Sequence, residues 1–205
     1  MKYIGIDEAG RGPVVGPMII AGIQIEEKDL DGLKSLGVKD SKMLSIKRIF
    51  EIGEFLLKEF NNKIIEVWPE EIDKNENLNN LELEKFVEII NSLEGEVAIV
   101  DAPSNNPKKI EEIIKSKCNK KIIAENYADK NYLQVGAASI IAKMKREQII
   151  SKLKEELNID FGSGYPSDEK TKLFILKIIK EGKINEYRRI IRKSWITIQP
   201  KLTYY

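Results

Sequence analysis

The residues most able to do chemistry lie close together near the start of the sequence. A short apolar run ends at two adjacent acids, Asp7 and Glu8, and Gly10-Arg11-Gly12 follows. Glycines let backbone groups approach a ligand closely, and an arginine side chain matches the geometry of a phosphate. Carboxylates beside such a loop would repel a phosphate unless a divalent cation lay between them. The combination indicates metal-assisted chemistry at a phosphate, although acids at a strand end are also common as solvated polar residues.

The composition narrows the choice of catalytic groups. Histidine is absent from the 205 residues, and Cys118 is the single cysteine. Catalytic Ser-His-Asp and Cys-His groups and histidine-bound zinc sites are therefore excluded. Aspartate and glutamate remain as the main metal ligands, and their hard oxygen atoms favour Mg²⁺ or Mn²⁺. Cys118 cannot form an internal disulfide, which fits a reducing cytoplasm, and we expect it to be a small, partly buried side chain.

Positive charge is concentrated toward the C-terminus, although the whole chain has a net charge of only +1. Residues 171–205 contain nine lysines and arginines against Glu181 and Glu186, a net charge of +7. Aromatic residues alternate with these charges, as on a surface that follows a nucleic-acid backbone. A solvated helix face is an equally good interpretation of the charge alone. The residues concerned are Tyr187, Arg188, Arg189, Arg192, Lys193, Trp195, Tyr204 and Tyr205.

The hydrophobic content of 42% is enough for one main core in a chain of 205 residues. No apolar run approaches the length of a membrane span, and the first residues do not resemble a signal peptide. We therefore expect a soluble, cytoplasmic protein, and we expect it to be a monomer.

Alternating strands and helices are predicted to position the candidate residues. Two strands are predicted over residues 2–8 and 17–26, joined by the glycine-rich loop, and a third over Ile64–Val67. Glu96–Asp101 and Lys121–Ala124 are two further short apolar runs that predict buried strands. An N-terminal hairpin followed by such alternation indicates a three-layer α/β domain around a mixed sheet.

Capping residues mark where the helices are expected to begin. Ser45 precedes one amphipathic pattern, and Asn77 or Asn80 opens another that runs to about Ser92. A long helix is predicted over about residues 134–157, and the small residues near its start allow close approach. The remaining signals are Asn106 with Pro107 as the start of a helix, a chain break at Gly162–Pro166, and Ser167-Asp168-Glu169 as the start of a basic helical tail.

Acids at strand ends suggest where a metal site would lie. Asp7 and Asp101 both end apolar strands, and strand ends form the active crevice of α/β sheets. Asp129 is predicted to lie in the loop between the last strand and the long helix. Strand alternation would turn Glu8 to the opposite face from Asp7, so Glu8 can join it only if the strand ends or twists between them.

Six motifs occur in one order along nearly the whole chain. They are Gly5–Pro13 with Gly16-Pro17, Asp40–Leu44, Val100–Pro103, Ala128-Asp129 with Ala137–Lys143, Gly162–Asp168, and Arg192–Trp195. Together they resemble type 2 ribonuclease H, specifically ribonuclease HII of the archaeal sort. Two positions differ from the family pattern near Asp129, because Tyr127 stands where many members have lysine and Leu133 replaces a common proline.

This resemblance implies a ribonuclease H-like fold with a five-stranded mixed sheet and flanking helices. It implies a catalytic domain over residues 1–160 and a basic helical C-terminal extension over residues 161–205. The activity implied is hydrolysis of the RNA strand of RNA/DNA hybrids and incision at ribonucleotides embedded in DNA, leaving 3′-hydroxyl and 5′-phosphate ends. The implied catalytic and metal-binding residues, for a mechanism with two divalent cations, are Asp7, Glu8, Asp101 and Asp129.

The same resemblance assigns recognition of the ribose to Gly10-Arg11-Gly12 and places Tyr165 against the sugar at the RNA–DNA junction. The 2′-hydroxyl is the group that distinguishes ribose from deoxyribose. Lys42 and Lys143 are candidate phosphate contacts, although lysines at helix ends are usually just solvated. Trp195 is expected to anchor the tail by packing.

Three alternatives remain open at this point. A nuclease or transposase of the same fold would use the same acids to cut DNA, and a non-catalytic module could bind RNA/DNA hybrids without cleaving them. Ribonuclease HIII, a sister enzyme, usually carries an additional N-terminal domain, whereas the first acid here is at position 7. In addition, residues 198–205 loosely resemble a clamp-binding peptide, so a sliding clamp is a candidate partner.

Overall fold

The computed structural model describes residues 1–195, except for the side chains of residues 40–42. Its strands are β1 (Lys2–Ala9), β2 (Met18–Glu26), β3 (Asn62–Val67), β4 (Val97–Asp101) and β5 (Lys121–Glu125). They form one sheet in the order β3-β2-β1-β4-β5. β1 pairs antiparallel with β2 and parallel with β4, and β4 pairs parallel with β5. The predicted five-stranded mixed sheet is confirmed.

Helices follow the strands in alternation, as predicted. No helix formed by residues 1–195 is both long enough and apolar enough to cross a membrane. Short 3₁₀ segments occupy Glu27–Asp29 and Val38–Met43. The α-helices are α1 (Leu30–Leu36), α2 (Ile46–Glu59), α3 (Pro69–Lys74), α4 (Leu78–Ser92), α5 (Pro107–Lys115), α6 (Ala128–Asn131), α7 (Leu133–Leu157) and α8 (Glu169–Lys180).

The helix starts that depend on capping side chains are confirmed. The Ser45 hydroxyl accepts a hydrogen bond from the Arg48 N–H, and the Asn106 side chain accepts one from the Lys109 N–H. Of the two candidate caps for α4, the structure selects Asn77, whose side chain accepts from the N–H of Asn80. Each cap satisfies a backbone N–H that has no partner inside the helix.

The internal contacts of the chain divide it into two compact units. The first contains Met1–Ala9, Ile19–Ile65 and Asn77–Lys145. The second contains Gly10–Met18, Glu66–Glu76 and the chain from Arg146 onward. The expected division at residue 160 stays a prediction, because this grouping joins residues 161–195 to segments that precede them in sequence.

The first unit has helices on both faces of the sheet. A Cβ atom at Gly5 of β1 would lie 2.1 Å from the carbonyl oxygen of Gln134, so the start of α7 packs directly on one face. A Cβ atom at Gly22 of β2 would lie 2.1 Å from Ile89 Cγ2 of α4. Gly22 pairs with Ile6, the neighbour of Gly5, and therefore faces the other side. This arrangement is the predicted three-layer architecture.

The second unit has its own hydrophobic core around α8. Phe174 of α8 packs against Phe161 and, nearly at right angles, against the ring of Tyr187, whose centroid is 5.3 Å away. The predicted helical tail is confirmed for Glu169–Lys180 and is wrong beyond it within the described residues. Gly182 has a φ of 67°, which ends the helix, and residues 183–195 continue mainly in turns. Three isoleucines from this region return to the core: Ile184, Ile190 and Ile191.

Candidate active site

Asp7 and Asp101 lie at equivalent positions on neighbouring parallel strands. The last paired residues of β1 and β4 are Ile6 and Val100, and each acid is the next residue along its strand. Adjacent strands are about 4.8 Å apart, and residues at the same level of a parallel pair leave the same face. The structure therefore brings together the two acids that were predicted to converge from their positions at strand ends.

Asp7 is buried in negatively charged surroundings. Its side chain is 5% exposed, and its Oδ1 accepts a hydrogen bond from the Glu8 N–H at 2.8 Å. Burial raises the pKa of Asp7 well above its ordinary value, and the nearby charges of Glu8 and Asp101 raise it further. A hydrogen bond from the Ser139 hydroxyl opposes this rise in pKa. Negative charge held in this way is what a bound cation would stabilise.

The helix that supplies Ser139 reaches Asp7 for a geometric reason. Gly5 and Asp7 leave the same face of β1, and α7 begins against Gly5 at Gln134. The helix rises about 7.5 Å from Gln134 to Ser139, and the strand rises about 6.7 Å from Gly5 to Asp7. Because the two lengths are similar, Ser139 comes level with Asp7. Sequence reasoning did not identify Ser139 as a contact of Asp7, although the small residues around it did predict a close approach.

Glu8 follows Asp7 without a break in the strand. It pairs with Ile20, and β1 continues to Ala9, so the strand does not end between the two acids. Alternation therefore directs the Cβ atoms of Asp7 and Glu8 to opposite faces. The charge of Glu8 is nevertheless one cause, after burial, of the raised pKa of Asp7.

Asp129 lies on the short helix α6, which corrects the prediction that it belongs to a loop. Tyr127, with a φ of 61°, turns the chain into this helix and is itself exposed. The N–H of Ala128, the first helical residue, donates to Asp101 Oδ1 at 3.2 Å. Asp101 thereby fixes the start of the helix that carries Asp129, which is 3% exposed.

Asp7 lies close to Asp101 and to Glu8. Among the described side chains of residues 1–195, no three aspartate, glutamate or cysteine groups form a ready-made metal site. Glu125 of β5 pairs with Asp101, but its carboxylate accepts from the Tyr132 hydroxyl at 2.6 Å. The donor set nevertheless fits a divalent cation, because it offers hard carboxylate oxygens and because burial and the charges of Glu8 and Asp101 raise the pKa of Asp7.

In the second unit, the loop that follows β1 contacts Tyr165. Gly12 is exposed, and a Cβ atom there would lie 3.4 Å from Tyr165 Cε1. Tyr165 is 40% exposed, so part of its ring is open to a ligand. The carbonyl oxygen of Gly164 accepts from the N–H groups of Val14 and Val15 at 2.8 and 3.2 Å, which ties the loop to the turn that carries Tyr165. Two of the predicted substrate-binding groups are therefore neighbours.

The basic tail is only partly a charged surface. Arg192 is fully buried, and burial lowers its pKa to about 9. Arg188 is exposed and forms an ion pair with Glu70 at 3.1 Å. The expectation that Arg192 and Tyr187 alternate on one nucleic-acid surface is thus wrong, because both pack inward. The packing role of Trp195 is confirmed by its contact with the core of the second unit.

The two candidate phosphate contacts, Lys143 and Lys42, and the candidate clamp-binding segment remain to be placed. Lys143 lies on α7 and is partly buried. The Lys42 side chain and residues 198–205 lie outside the described part of the chain.

The model of one protein family, ribonuclease HII, matches residues 4–198 of the chain. The chain belongs to the ribonuclease HII family. The ribonuclease HII of Thermococcus onnurineus is 42% identical, over 97% of this chain and 89% of that protein. The crystal structure of ribonuclease H2 from Pyrococcus horikoshii matches with a TM-score of 0.91 and 38% identity, covering 100% of this chain and 98% of that one. A complex of PCNA with ribonuclease HII from Archaeoglobus fulgidus matches with a TM-score of 0.88 and 39% identity, covering 95% of each chain.

Membership of the ribonuclease HII family establishes the activity of the chain. The chain is an endoribonuclease, a hydrolase whose substrates are RNA/DNA hybrids. A ribonuclease HIII in complex with Mn²⁺ matches with a TM-score of 0.83, over 100% of this chain and 70% of that one. At 17% identity that likeness concerns the ribonuclease H-like fold alone.

Proposed function

We propose that four carboxylates form the catalytic set of this ribonuclease HII family member and hold two divalent cations, Mg²⁺ or Mn²⁺. The observation that carries the proposal is the alignment of Asp7 with Asp101 at the ends of adjacent strands, where burial, and then the charges of Glu8 and Asp101, raise the pKa of Asp7. The ribonuclease HIII of similar fold was solved with Mn²⁺, which agrees with a divalent cation. The proposed residues are Asp7, Glu8, Asp101 and Asp129. Glu8 is included although its Cβ atom leaves the opposite face of β1, because its charge is close enough to raise the pKa of Asp7.

In the proposed reaction, the carboxylates would bind the cations, and the cations would position the attacking water and the scissile phosphate. Bound cations would activate a water for in-line attack at phosphorus and would stabilise charge on the leaving 3′ oxygen. The Ser139 hydroxyl and the Glu8 N–H orient the carboxylate of Asp7. Asp101 holds the start of α6 and thereby positions Asp129. The products would carry 3′-hydroxyl and 5′-phosphate ends.

The substrate part of the proposal concerns the loop in the second unit. Gly10-Arg11-Gly12 would read the ribose 2′-hydroxyl, and Tyr165 would stack on the sugar at the RNA–DNA junction, so that single embedded ribonucleotides are incised. The contact between Gly12 and the exposed ring of Tyr165 supports this assignment. Lys42 and Lys143 are proposed as phosphate contacts.

Cleavage of a DNA duplex that contains one ribonucleotide tests the proposal. We expect incision that requires a divalent cation, and we expect Asp7→Asn to retain less than about a hundredth of the parent rate. Asp31→Asn is the matched control, since Asp31 is an exposed residue of α1. Near-parent cleavage by Asp7→Asn would contradict the assignment. Incision of an all-DNA duplex would favour a DNA nuclease, and binding without cleavage would favour a non-catalytic module.

We further propose that a sliding clamp is a partner and that residues 198–205 bind it. The relative from Archaeoglobus fulgidus, 39% identical, was solved as a complex with PCNA. Binding of the clamp from the same organism would be measured for the parent and for a chain that lacks residues 198–205. Equal affinity of the two chains would remove the tail from the interface, and no binding by the parent would remove the partner.

A further inference from the structure

Arg146 and Arg192 are buried beneath the loop of residues 10–16. Neither arginine was connected with this loop by the sequence. Their side chains are 3% and 0% exposed. The charges oppose each other, because the nearby Arg146 is one cause of the lowered pKa of Arg192. Placing two like charges inside a protein is costly unless their hydrogen-bonding groups are used well. Their contacts therefore indicate what the two side chains do.

Arg192 binds the backbone at both ends of the loop. Its Nη2 donates to the carbonyl oxygen of Gly10 at 2.5 Å, and its Nη1 donates to that of Arg11 at 2.8 Å. Both Nε and Nη2 donate to the carbonyl oxygen of Gly16, at 3.3 and 3.1 Å. One planar guanidinium thus turns the carbonyls of residues at the two ends of the loop toward the interior. A lysine has a single nitrogen and cannot reproduce this fork.

Arg146 connects the same loop to the turn that carries Tyr165. Its side chain lies against Gly10, where an added Cβ atom would be 2.5 Å from Arg146 Cδ. Its Nη2 donates to the carbonyl oxygen of Ser163 at 3.1 Å and makes a longer contact of 3.4 Å with that of Val15. The guanidinium carbon also lies 5.3 Å from the centre of the Tyr165 ring. Gly10 has a φ of 80°, so a glycine is required where the arginine stem approaches.

We propose that Arg146 and Arg192 are positioning residues that fix Gly12 and Tyr165 relative to each other, and that they thereby determine how accurately a ribonucleotide is placed for incision. The inference rests on the proposed recognition role of the loop. Both arginines act through the backbone and the Tyr165 ring. Their removal should therefore lower the rate of the bound complex while leaving general affinity for duplex DNA unchanged.

The central variant is Arg192→Lys, which keeps the charge and loses the fork. We expect its kcat on the one-ribonucleotide duplex to fall by about tenfold to a hundredfold, since a shift of about 1 Å can have that effect. Its Kd for an all-DNA duplex should stay within about twofold of the parent value. Arg48→Lys is the matched control, because Arg48 is exposed on α2 and pairs with Glu51. In Arg192→Ala, millimolar guanidinium should restore part of the lost rate.

Hydrogen exchange provides a readout that does not depend on cleavage. The amides of residues 10–12 and 14–16 should exchange faster in Arg192→Lys than in the parent or in Arg48→Lys. If folded Arg192→Lys keeps the parent kcat, or if its loop exchanges at the parent rate, the proposal is wrong. If Arg192→Lys does not fold, the same two measurements on Arg146→Lys decide. If the parent itself does not cleave the duplex, the proposed function fails, whereas the exchange rates still test the role of the arginines.

Discussion

Gly12→Ala separates recognition of the substrate from stability of the fold. The added methyl group would lie 3.4 and 3.8 Å from two carbons of the Tyr165 ring, which are ordinary van der Waals contacts. Gly12 is exposed and is not one of the glycines with a positive φ. We therefore expect the free energy of unfolding to change by no more than about 1 kcal/mol, in the stabilising direction if the loop becomes stiffer.

The same methyl group would occupy space beside the Tyr165 ring, where we propose that the sugar binds. If it displaces the ribose by about 1 Å, the rate should fall about a hundredfold, which corresponds to about 2.7 kcal/mol of transition-state free energy. The assay compares kcat/KM on the one-ribonucleotide duplex for the parent, Gly12→Ala and Gly32→Ala. Gly32 is the control because an added Cβ atom on that exposed residue of α1 would meet no atom within 4 Å. A folded Gly12→Ala enzyme with the parent kcat/KM would refute the recognition role of this loop.

Three further predictions follow from the described contacts. Tyr165→Ala should lower incision at a single embedded ribonucleotide more than cleavage within a continuous RNA strand, because successive ribonucleotides offer several registers; an equal fall in both rates would make Tyr165 a packing residue. Neutralising the exposed Arg188 and Arg189 to Gln should reduce the slope of log K against log salt concentration by up to about two units, as measured by duplex binding between 50 and 200 mM salt; an unchanged slope would remove both from the interface. Hydrogen bonds from Ser163 lower the pKa of Asp168 to about 2, below its unfolded value of about 3.9, so the stability that Asp168 contributes should be fully present above about pH 4 and lost as the pH falls toward 2. The difference in thermal stability between the parent and Asp168→Asn should therefore shrink as the pH is lowered across this range. A difference that stays constant with pH would contradict the lowered pKa.

Much of the framework could be predicted because it depends on neighbouring residues. The caps at Ser45 and Asn106 act over three residues, and the strands that end at Asp7 and Asp101 are short apolar runs. The position of both acids at the ends of apolar strands was sufficient to predict that they would meet. Helix α1 was not predicted, since Leu33 is its single buried residue and gives no periodic pattern.

The positions that could not be predicted depend on contacts between distant parts of the chain. Arg192 belongs to a family motif, but its burial could not be predicted because its partners are backbone carbonyl groups, which every residue type has. The pairing of Ser139 with Asp7 depends on how α7 crosses Gly5. The sequence motif around Asp129 predicts a catalytic role that stays a prediction, and the left-handed conformation of Tyr127 that begins its helix could not be predicted because it is uncommon for a tyrosine.

The hydrogen bond from Arg192 to Gly10 joins residues 182 positions apart, and this separation has a consequence for the order of folding. During synthesis, β1, β2, β4 and β5 are all available once residue 125 has left the ribosome, so the sheet with Asp7 and Asp101 can pair early. The loop of residues 10–16, which follows β1 in sequence, gains its hydrogen bonds from Arg192 only after that residue has also emerged. A growing chain can therefore pair the strands that carry Asp7 and Asp101 well before the loop of residues 10–16 is held by Arg192.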